Sequence, residues 1–205
     1  GVGTVALDTA YSAGDIEVSG GTLVIGANAT LPEGQVIVVK DGATLRLAYN
    51  PNIDYTKVSI STEGTGTVTY DDGYRLNNGV WEASVTMAAE GDGTVDATAW
   101  EQPGTIVTRT ATPGADAFIR WKGDLATLVD RDPFATTVRV RVEKPLALTA
   151  VFGTLAPPAN VECPDGTTFV FANRTMTVMV PAGVTNDYDY AAALSSGYVT
   201  SIVKT

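Results

Sequence analysis

The chain has 205 residues, 44% of them apolar, which is enough hydrophobic material for one large domain or two to three small ones. It carries 13 basic and 23 acidic residues, a formal charge of −10, and its isoelectric point is near 4.3. Such a field repels phosphate backbones and anionic membrane surfaces, so nucleic acid is excluded as an expected partner. The acidity is interpreted first as a solubility feature of an exposed protein and second as cation binding.

The chain has no histidine and a single cysteine, Cys163. The lack of imidazole excludes Ser/His/Asp and Cys/His triads and histidine-based metal sites, and a lone cysteine cannot form an internal disulfide. This cysteine content fits either a reducing cytosol or the bacterial exterior. No stretch approaches the roughly 18 to 20 apolar residues of a membrane span, so no membrane insertion is expected. If the protein is exported, we expect the signal to lie upstream of Gly1.

Residues 15–47 contain four short runs with apolar residues at alternate positions. These runs are residues 16–18, 22–25, 36–39 and 44–47, and glycine, asparagine, aspartate and proline lie between them. Short strands punctuated by such turn formers suit a chain that coils and stacks on its previous coil. The pattern therefore predicts a parallel β-solenoid, with an antiparallel meander as the alternative because hairpins use the same turn residues.

Two of these runs carry a family resemblance. The sequences GDIEVSGGTLVI at residues 14–25 and VVKDGATLRL at residues 38–47 resemble the repeats of autotransporter-type passenger β-helices. The resemblance covers about the first 80 residues, with residues 60–70 as the last coil. It implies that residues 1–83 form a β-solenoid-like segment of a bacterial surface protein.

A second resemblance lies in the middle of the chain. The sequences GDGTV (91–95), GTIVTRTATP (104–113), FIRWKGD (118–124) and LTAVF (148–152) resemble, in that order, the divergent B-repeat of internalin-like surface proteins. The resemblance implies that residues 84–153 form a small β-roll or sandwich used as a spacer or binding unit. We expect Pro113 to end a strand, Phe118 and Trp121 to supply buried area, and residues 130–133 to form a longer loop.

Residues 154–205 are predicted to be a linker followed by a C-terminal β segment. Pro157 and Pro158 favour extended chain, and strands are predicted within residues 168–180 and 198–203. Those strands have three candidate partners: each other, the solenoid, or a following domain. The best helical candidate in the whole chain is the short alanine-rich run at residues 190–194.

Acidic pairs and one tryptophan are the candidate site residues. Without histidine, paired carboxylates are the remaining catalytic option, but each pair here lies in a turn, where aspartate commonly caps the turn. Calcium takes only oxygen ligands and is the one cofactor these carboxylates allow, although no EF-hand or nonapeptide pattern is present. The predicted calcium ligands are Asp130, Asp132, Asp187 and Asp189. Trp100, beside Glu101 in a predicted loop, is the candidate for stacking on a sugar ligand.

The chain is therefore predicted to be all-β and to catalyse nothing. The leading hypothesis is a structural or adhesive segment of a secreted bacterial cell-surface protein that forms fibres by end-to-end β-stacking. Its expected partners are other subunits or neighbouring domains, together with surface glycans. The alternative is a carbohydrate-binding accessory region of a larger extracellular enzyme. A β-helix polysaccharide lyase or hydrolase is the third hypothesis, weakened because the predicted coils are few and Arg46 is the only arginine in residues 1–70.

Overall fold

The structure is a computed structural model that describes residues 3–155, 160–163, 165–172, 174–185 and 198–205. These residues form nineteen strands and two short 3₁₀ helices, Tyr55–Lys57 and Leu125–Thr127, which confirms the predicted all-β class. Among the residues described, no helix has the length and apolar character needed to cross a bilayer. The chain divides into two compact units. Unit 1 comprises Gly1–Thr86, Thr98–Thr105 and Val142–Leu146, and unit 2 comprises Met87–Ala97, Ile106–Arg141 and Ala147–Thr205.

The first seven strands form two parallel sheets. They are β1 (Thr4–Leu7), β2 (Ile16–Val18), β3 (Thr22–Ile25), β4 (Val36–Val39), β5 (Thr44–Leu47), β6 (Ser59–Thr62) and β7 (Thr67–Tyr70). One sheet has the order β1-β3-β5-β7 and the other β2-β4-β6, so successive strands alternate between the sheets. Every pairing in these two sheets is parallel, so the alternative of an antiparallel meander is wrong. We call residues 4–70 the coil stack.

Equivalent residues of successive coils lie side by side in the coil stack. The odd-strand sheet aligns Thr4, Thr22, Thr44 and Thr67 at one position, and Val5, Leu23, Leu45 and Val68 at the next. The even-strand sheet aligns Ile16, Ile37 and Ile60. The inward-facing aliphatic residues from β2 to β7 pack into one hydrophobic core, together with Leu7 of β1. Because side chains alternate across a strand, the chain buries one row and exposes the next.

Aspartates in the turns of the coil stack hold neighbouring turns together. Asp8 Oδ1 accepts a hydrogen bond from the Asn28 backbone N–H at 2.9 Å, and Asp41 Oδ1 accepts one from the Thr65 N–H at 2.8 Å. These hydrogen bonds favour the charged carboxylate and lower the pKa of both aspartates. Asp8 and Asp41 thus accept hydrogen bonds from turns, as we expect of aspartates that lie in turns.

Strands β8 to β15 pair antiparallel in both units. They are β8 (Tyr74–Asn77), β9 (Val80–Glu90), β10 (Gly93–Val95), β11 (Ala99–Glu101), β12 (Ile106–Pro113), β13 (Ala117–Gly123), β14 (Thr137–Arg141) and β15 (Leu146–Gly153). In unit 1, β8 and β11 pair with β9. In unit 2, β13 pairs with β15, and β10, β12 and β14 form a three-stranded sheet. As expected, Pro113 ends β12, and Phe118 and Trp121 are buried.

The last four strands form a sheet of their own. They are β16 (Val161–Glu162), β17 (Thr168–Ala172), β18 (Thr175–Met179) and β19 (Ser201–Lys204), in the order β16-β17-β18-β19. Their core contains Cys163, Phe169, Met176, Val178 and Val199. The question of their partners is thus decided, because these strands pair with each other. The predicted helical run at 190–194 and the prolines 157 and 158 lie outside the described residues.

Candidate functional site

The coil stack begins with a step between its two sheets. β1 is the terminal strand of one sheet and β2 is the terminal strand of the other. Among the described residues, the sheet of β2 has no strand at the level of β1, which precedes β2 by one coil. Two hollows of about 330 and 410 Å³ occupy this step, and both are lined by Val5, Ile16, Glu17 and Leu23. We call them together the N-terminal groove.

Aliphatic and acidic residues line the N-terminal groove together: Val5, Ile16 and Leu23 lie beside Glu17, and one hollow also contacts Asp15. Val5 is 66% exposed, whereas Leu45, at the same register position two coils further on, is fully buried. Ile16 and Val18 of β2 face the groove and belong to the core of the stack.

The opposite end of the coil stack is more polar. In β6 and β7 the apolar residues Ile60, Val68 and Tyr70 are partly buried, and the remaining positions are serine and threonine. Trp81 is buried against this end of the core and donates a hydrogen bond from Nε1 to the Asn50 carbonyl oxygen at 3.0 Å. The two ends of the stack therefore differ in what they offer a partner.

Trp100 lies on a strand, so the prediction that it lies in a loop is wrong. It is the central residue of β11, pairs with Ser84 of β9 and is 36% exposed. The Arg75 guanidinium carbon lies 4.6 Å from the Trp100 ring centroid, a cation–π distance. A sugar could stack on that face only by displacing Arg75. Glu101, the second predicted ligand-binding residue, follows Trp100 on β11 and is half-buried.

Arg75 is held in place by a second acidic residue. Its Nε donates to Glu82 Oε2 at 2.6 Å, and Asn77 Nδ2 donates to Glu82 Oε1 at 3.0 Å. Desolvation opposes the ionisation of Glu82, but the hydrogen bonds from Asn77 and Arg75 outweigh it and lower the pKa of this carboxyl. The group formed by Trp100, Arg75 and Glu82 is thus a charged surface cluster whose carboxylate is already occupied.

The predicted calcium ligands are only partly within the described residues. Asp130 Oδ2 accepts a hydrogen bond from Arg139 Nε at 3.0 Å, and this contact lowers the pKa of Asp130. Asp132 Oδ1 accepts the Phe134 N–H at 2.9 Å in a local turn. Asp187 and Asp189 lie outside the described residues. Within the part of the chain that the structure describes, no three acidic or cysteine side chains form a group able to hold a metal ion.

Sequence analysis anticipated unpaired edges on the end coils but did not find β1. The run Thr4–Leu7 is short, but it follows Gly3 as β3 follows Gly21, so it carries the same strand signal as the later runs. The spacing of equivalent threonines contained the missing information. Thr4, Thr22, Thr44 and Thr67 follow one another at intervals of 18, 22 and 23 residues and occupy one register position of the sheet.

Comparison with protein-family models, with curated proteins and with solved structures finds no match for this chain. A functional proposal therefore depends on the geometry of the Trp100 cluster and the coil stack.

Proposed function

We propose that this chain is a non-catalytic structural or adhesive segment of a secreted bacterial cell-surface protein. The observation that carries the proposal is the coil stack, in which every strand pairing is parallel and equivalent residues of successive coils lie side by side. Each added coil repeats the same ladder contacts and extends the stack by about 4.8 Å, so length is gained without a large core.

The acidic side chains of the coil stack support a mechanical role. Asp71 accepts hydrogen bonds from Arg46 Nη2 at 2.9 Å and from the Tyr49 backbone N–H at 3.1 Å. Lys40 Nζ lies 2.9 Å from Glu63 and 3.7 Å from Glu17, which links three coils. These carboxylates bind basic side chains and a backbone N–H of adjacent coils. Such cross-links between coils favour a rigid stack.

Adhesion and catalysis can be tested separately with the full chain. Bacteria that display the chain on their surface are expected to adhere to protein- or glycan-coated plates more than cells displaying an unrelated domain of similar size and charge. Incubation with pectin-, alginate- and carrageenan-type polymers is expected to release no new chain ends. Cleavage of any of these polymers by the purified chain would contradict the proposal.

A carbohydrate-binding accessory role is the second candidate, favoured by the exposure of Trp100 beside Arg75 and Glu101. Affinity electrophoresis in gels containing polysaccharide measures it directly. Under this alternative, Trp100→Ala abolishes the retardation and Trp100→Phe, which keeps an aromatic ring, retains part of it. Equal mobility of the three proteins in all gels rules out Trp100 as a sugar-binding residue.

A further inference from the structure

A hollow of about 400 Å³ lies on the surface of unit 1 and shares no lining residue with the N-terminal groove or the Trp100 cluster. Its walls come from three separate parts of the chain: residues within 49–56, residues 79–81 at the β8–β9 turn, and residues 102–103 after β11. Small-molecule sites have volumes of about 300 to 1,000 Å³, so the hollow has the size of such a site. We call it the Gln102 hollow.

Packed aromatic rings and a glycine fix the apolar wall of the Gln102 hollow. The Tyr49 ring stacks on Tyr74 with centroids 4.5 Å apart and meets Trp81 edge to face at 5.6 Å. Gly79 lies directly against Thr56, since a Cβ built on Gly79 comes within 2.6 Å of the Thr56 backbone nitrogen. Because such close packing leaves the walls little room to move, the hollow is formed before a ligand arrives.

Three polar side chains line the same hollow. Asn52 and Gln102 are exposed, and neither side-chain amide has a hydrogen-bond partner among the residues that the structure describes. The Asn52 backbone N–H donates to Asn50 Oδ1 at 2.9 Å, which fixes the chain at this point. Asp54 Oδ1 accepts the Thr56 N–H at 3.1 Å, whereas its Oδ2 accepts no hydrogen bond from the described part of the chain. The hollow thus offers two amides and one carboxylate oxygen to a ligand.

We propose that the Gln102 hollow binds a neutral sugar residue of a surface glycan. A sugar ring carries several hydroxyls, each able to donate and accept, and also has apolar C–H faces. The two amides can donate to and accept from such hydroxyls, and the carboxylate can accept from them. The C–H groups pack against aromatic and proline side chains, here Tyr49 and Pro103.

Charge and ring geometry narrow the class of ligand. The hydrogen bond from the Thr56 hydroxyl lowers the pKa of Asp54, so an anion lines the hollow at neutral pH and opposes an acidic sugar. A proline-rich peptide docks on open aromatic faces, but Tyr74 covers one face of Tyr49 and Trp81 is only 7% exposed. The inference deepens the proposed adhesive function, and it rests on that function for the idea that the chain meets glycans.

Saturation-transfer NMR of the full chain with glucose, galactose, mannose and N-acetylglucosamine tests the inference. At least one of these neutral sugars is expected to bind, and glucuronate is expected to bind more weakly. Asn52→Ala and Gln102→Ala are each expected to weaken the affinity about two- to tenfold, because each removes a hydrogen-bonding amide. Asp54→Asn, which keeps an oxygen for the Thr56 N–H, is expected to narrow the difference between neutral and acidic sugars.

Ser61→Ala and Trp100→Ala are the controls, because both lie outside the hollow and are expected to leave the affinity unchanged. Circular dichroism establishes that the variants stay folded, as the exposure of Asn52 and Gln102 leads us to expect. The inference is overturned by the absence of binding for all four neutral sugars, or by affinities that neither amide variant changes. Binding of a ten-residue polyproline peptide in place of the sugars also overturns it. The surface-display adhesion result on protein-coated plates then decides separately on the proposed function.

Discussion

Two tryptophans show how one residue type takes opposite roles in this chain. Trp121 is fully buried on β13, its ring lies 5.7 Å from that of Phe118, and its Nε1 donates to the Ala135 carbonyl oxygen at 2.9 Å. Trp100 on β11 is partly exposed and contacts Arg75. Because its ring is buried and its N–H is hydrogen-bonded, Trp121 contributes to stability. The ring of Trp100 is partly exposed and contributes less.

Replacing the two tryptophans is expected to give unequal losses of stability. Trp121→Ala leaves a large cavity and is expected to lower the free energy of unfolding by about 3 to 5 kcal/mol. Trp100→Ala removes a half-exposed ring and is expected to cost about 1 kcal/mol or less. Urea denaturation followed by circular dichroism measures both values. A loss in Trp100→Ala as large as that in Trp121→Ala would show that the β11 surface is part of the core.

At the scale of elements, the turns of the coil stack depend on glycine at particular places. Gly21 has φ of +68°, and a Cβ built there clashes with the Gly3 carbonyl oxygen. Gly34 has φ of +80°, but a Cβ there has open space around it. A side chain at residue 21 would therefore be strained by the backbone conformation and would also collide with Gly3, just before β1. A side chain at residue 34 would be strained by the backbone conformation alone.

The two glycines form a matched pair of variants. Gly34→Ala is expected to cost about 1 kcal/mol through its left-handed backbone. Gly21→Ala is expected to cost more and to loosen β1 from β3, because Gly3 must move away from residue 21. Hydrogen exchange of the Thr22 N–H, which donates to Gly3 O, reports that loosening. Equal stability and equal exchange in the two variants would contradict this account of the turn.

The turn aspartates make the stack sensitive to acid. Hydrogen bonds lower the pKa of Asp8 and Asp41 from an ordinary value of 3.8, so their stabilising effect is present above that pH. It is lost as pH falls through the lower values of the folded state, because the protonated carboxyl no longer favours these bonds.

We therefore expect the thermal midpoint to fall as the pH drops below about 4. Asp41→Asn is expected to be less stable than the parent at neutral pH and to lose less on acidification. Calorimetry at a series of pH values gives both curves. Parallel curves for parent and variant would mean that Asp41 does not contribute to the acid sensitivity.

For the whole molecule, the charge balance determines which partners are accessible. A formal charge of −10 repels polyanions at a distance, and no local feature of the coil stack reverses that field. The same charge opposes self-association, and added salt screens that repulsion.

The full chain is expected to leave double-stranded DNA unshifted in gels at about 150 mM salt. The physical reason is that its 13 basic residues are outnumbered by 23 acidic ones. The same experiment at low salt is the stringent version, since electrostatic binding strengthens there. A shifted band at either ionic strength would contradict the expectation from net charge.

Local chemistry alone determined the strand content, the turns and most strand bounds of the coil stack. Alternating aliphatic residues between glycine and aspartate allow few other structures, and the runs at 22–25 and 44–47 became β3 and β5 with the same bounds. The burial of Trp121 and the end of β12 at Pro113 were likewise predictable from side-chain volume and the missing proline N–H.

Only the tertiary structure decided which strands pair and what their pairing leaves open. Hairpins and stacked coils share turn residues, so the parallel registers of β1 to β7 could not be chosen from composition. The partners of β16 to β19, the Arg75 contact with Trp100 and the N-terminal groove depend on residues distant in sequence. The physical reason is that alternation specifies which face of a strand is buried, whereas the neighbouring strand is chosen by the packing of the whole core.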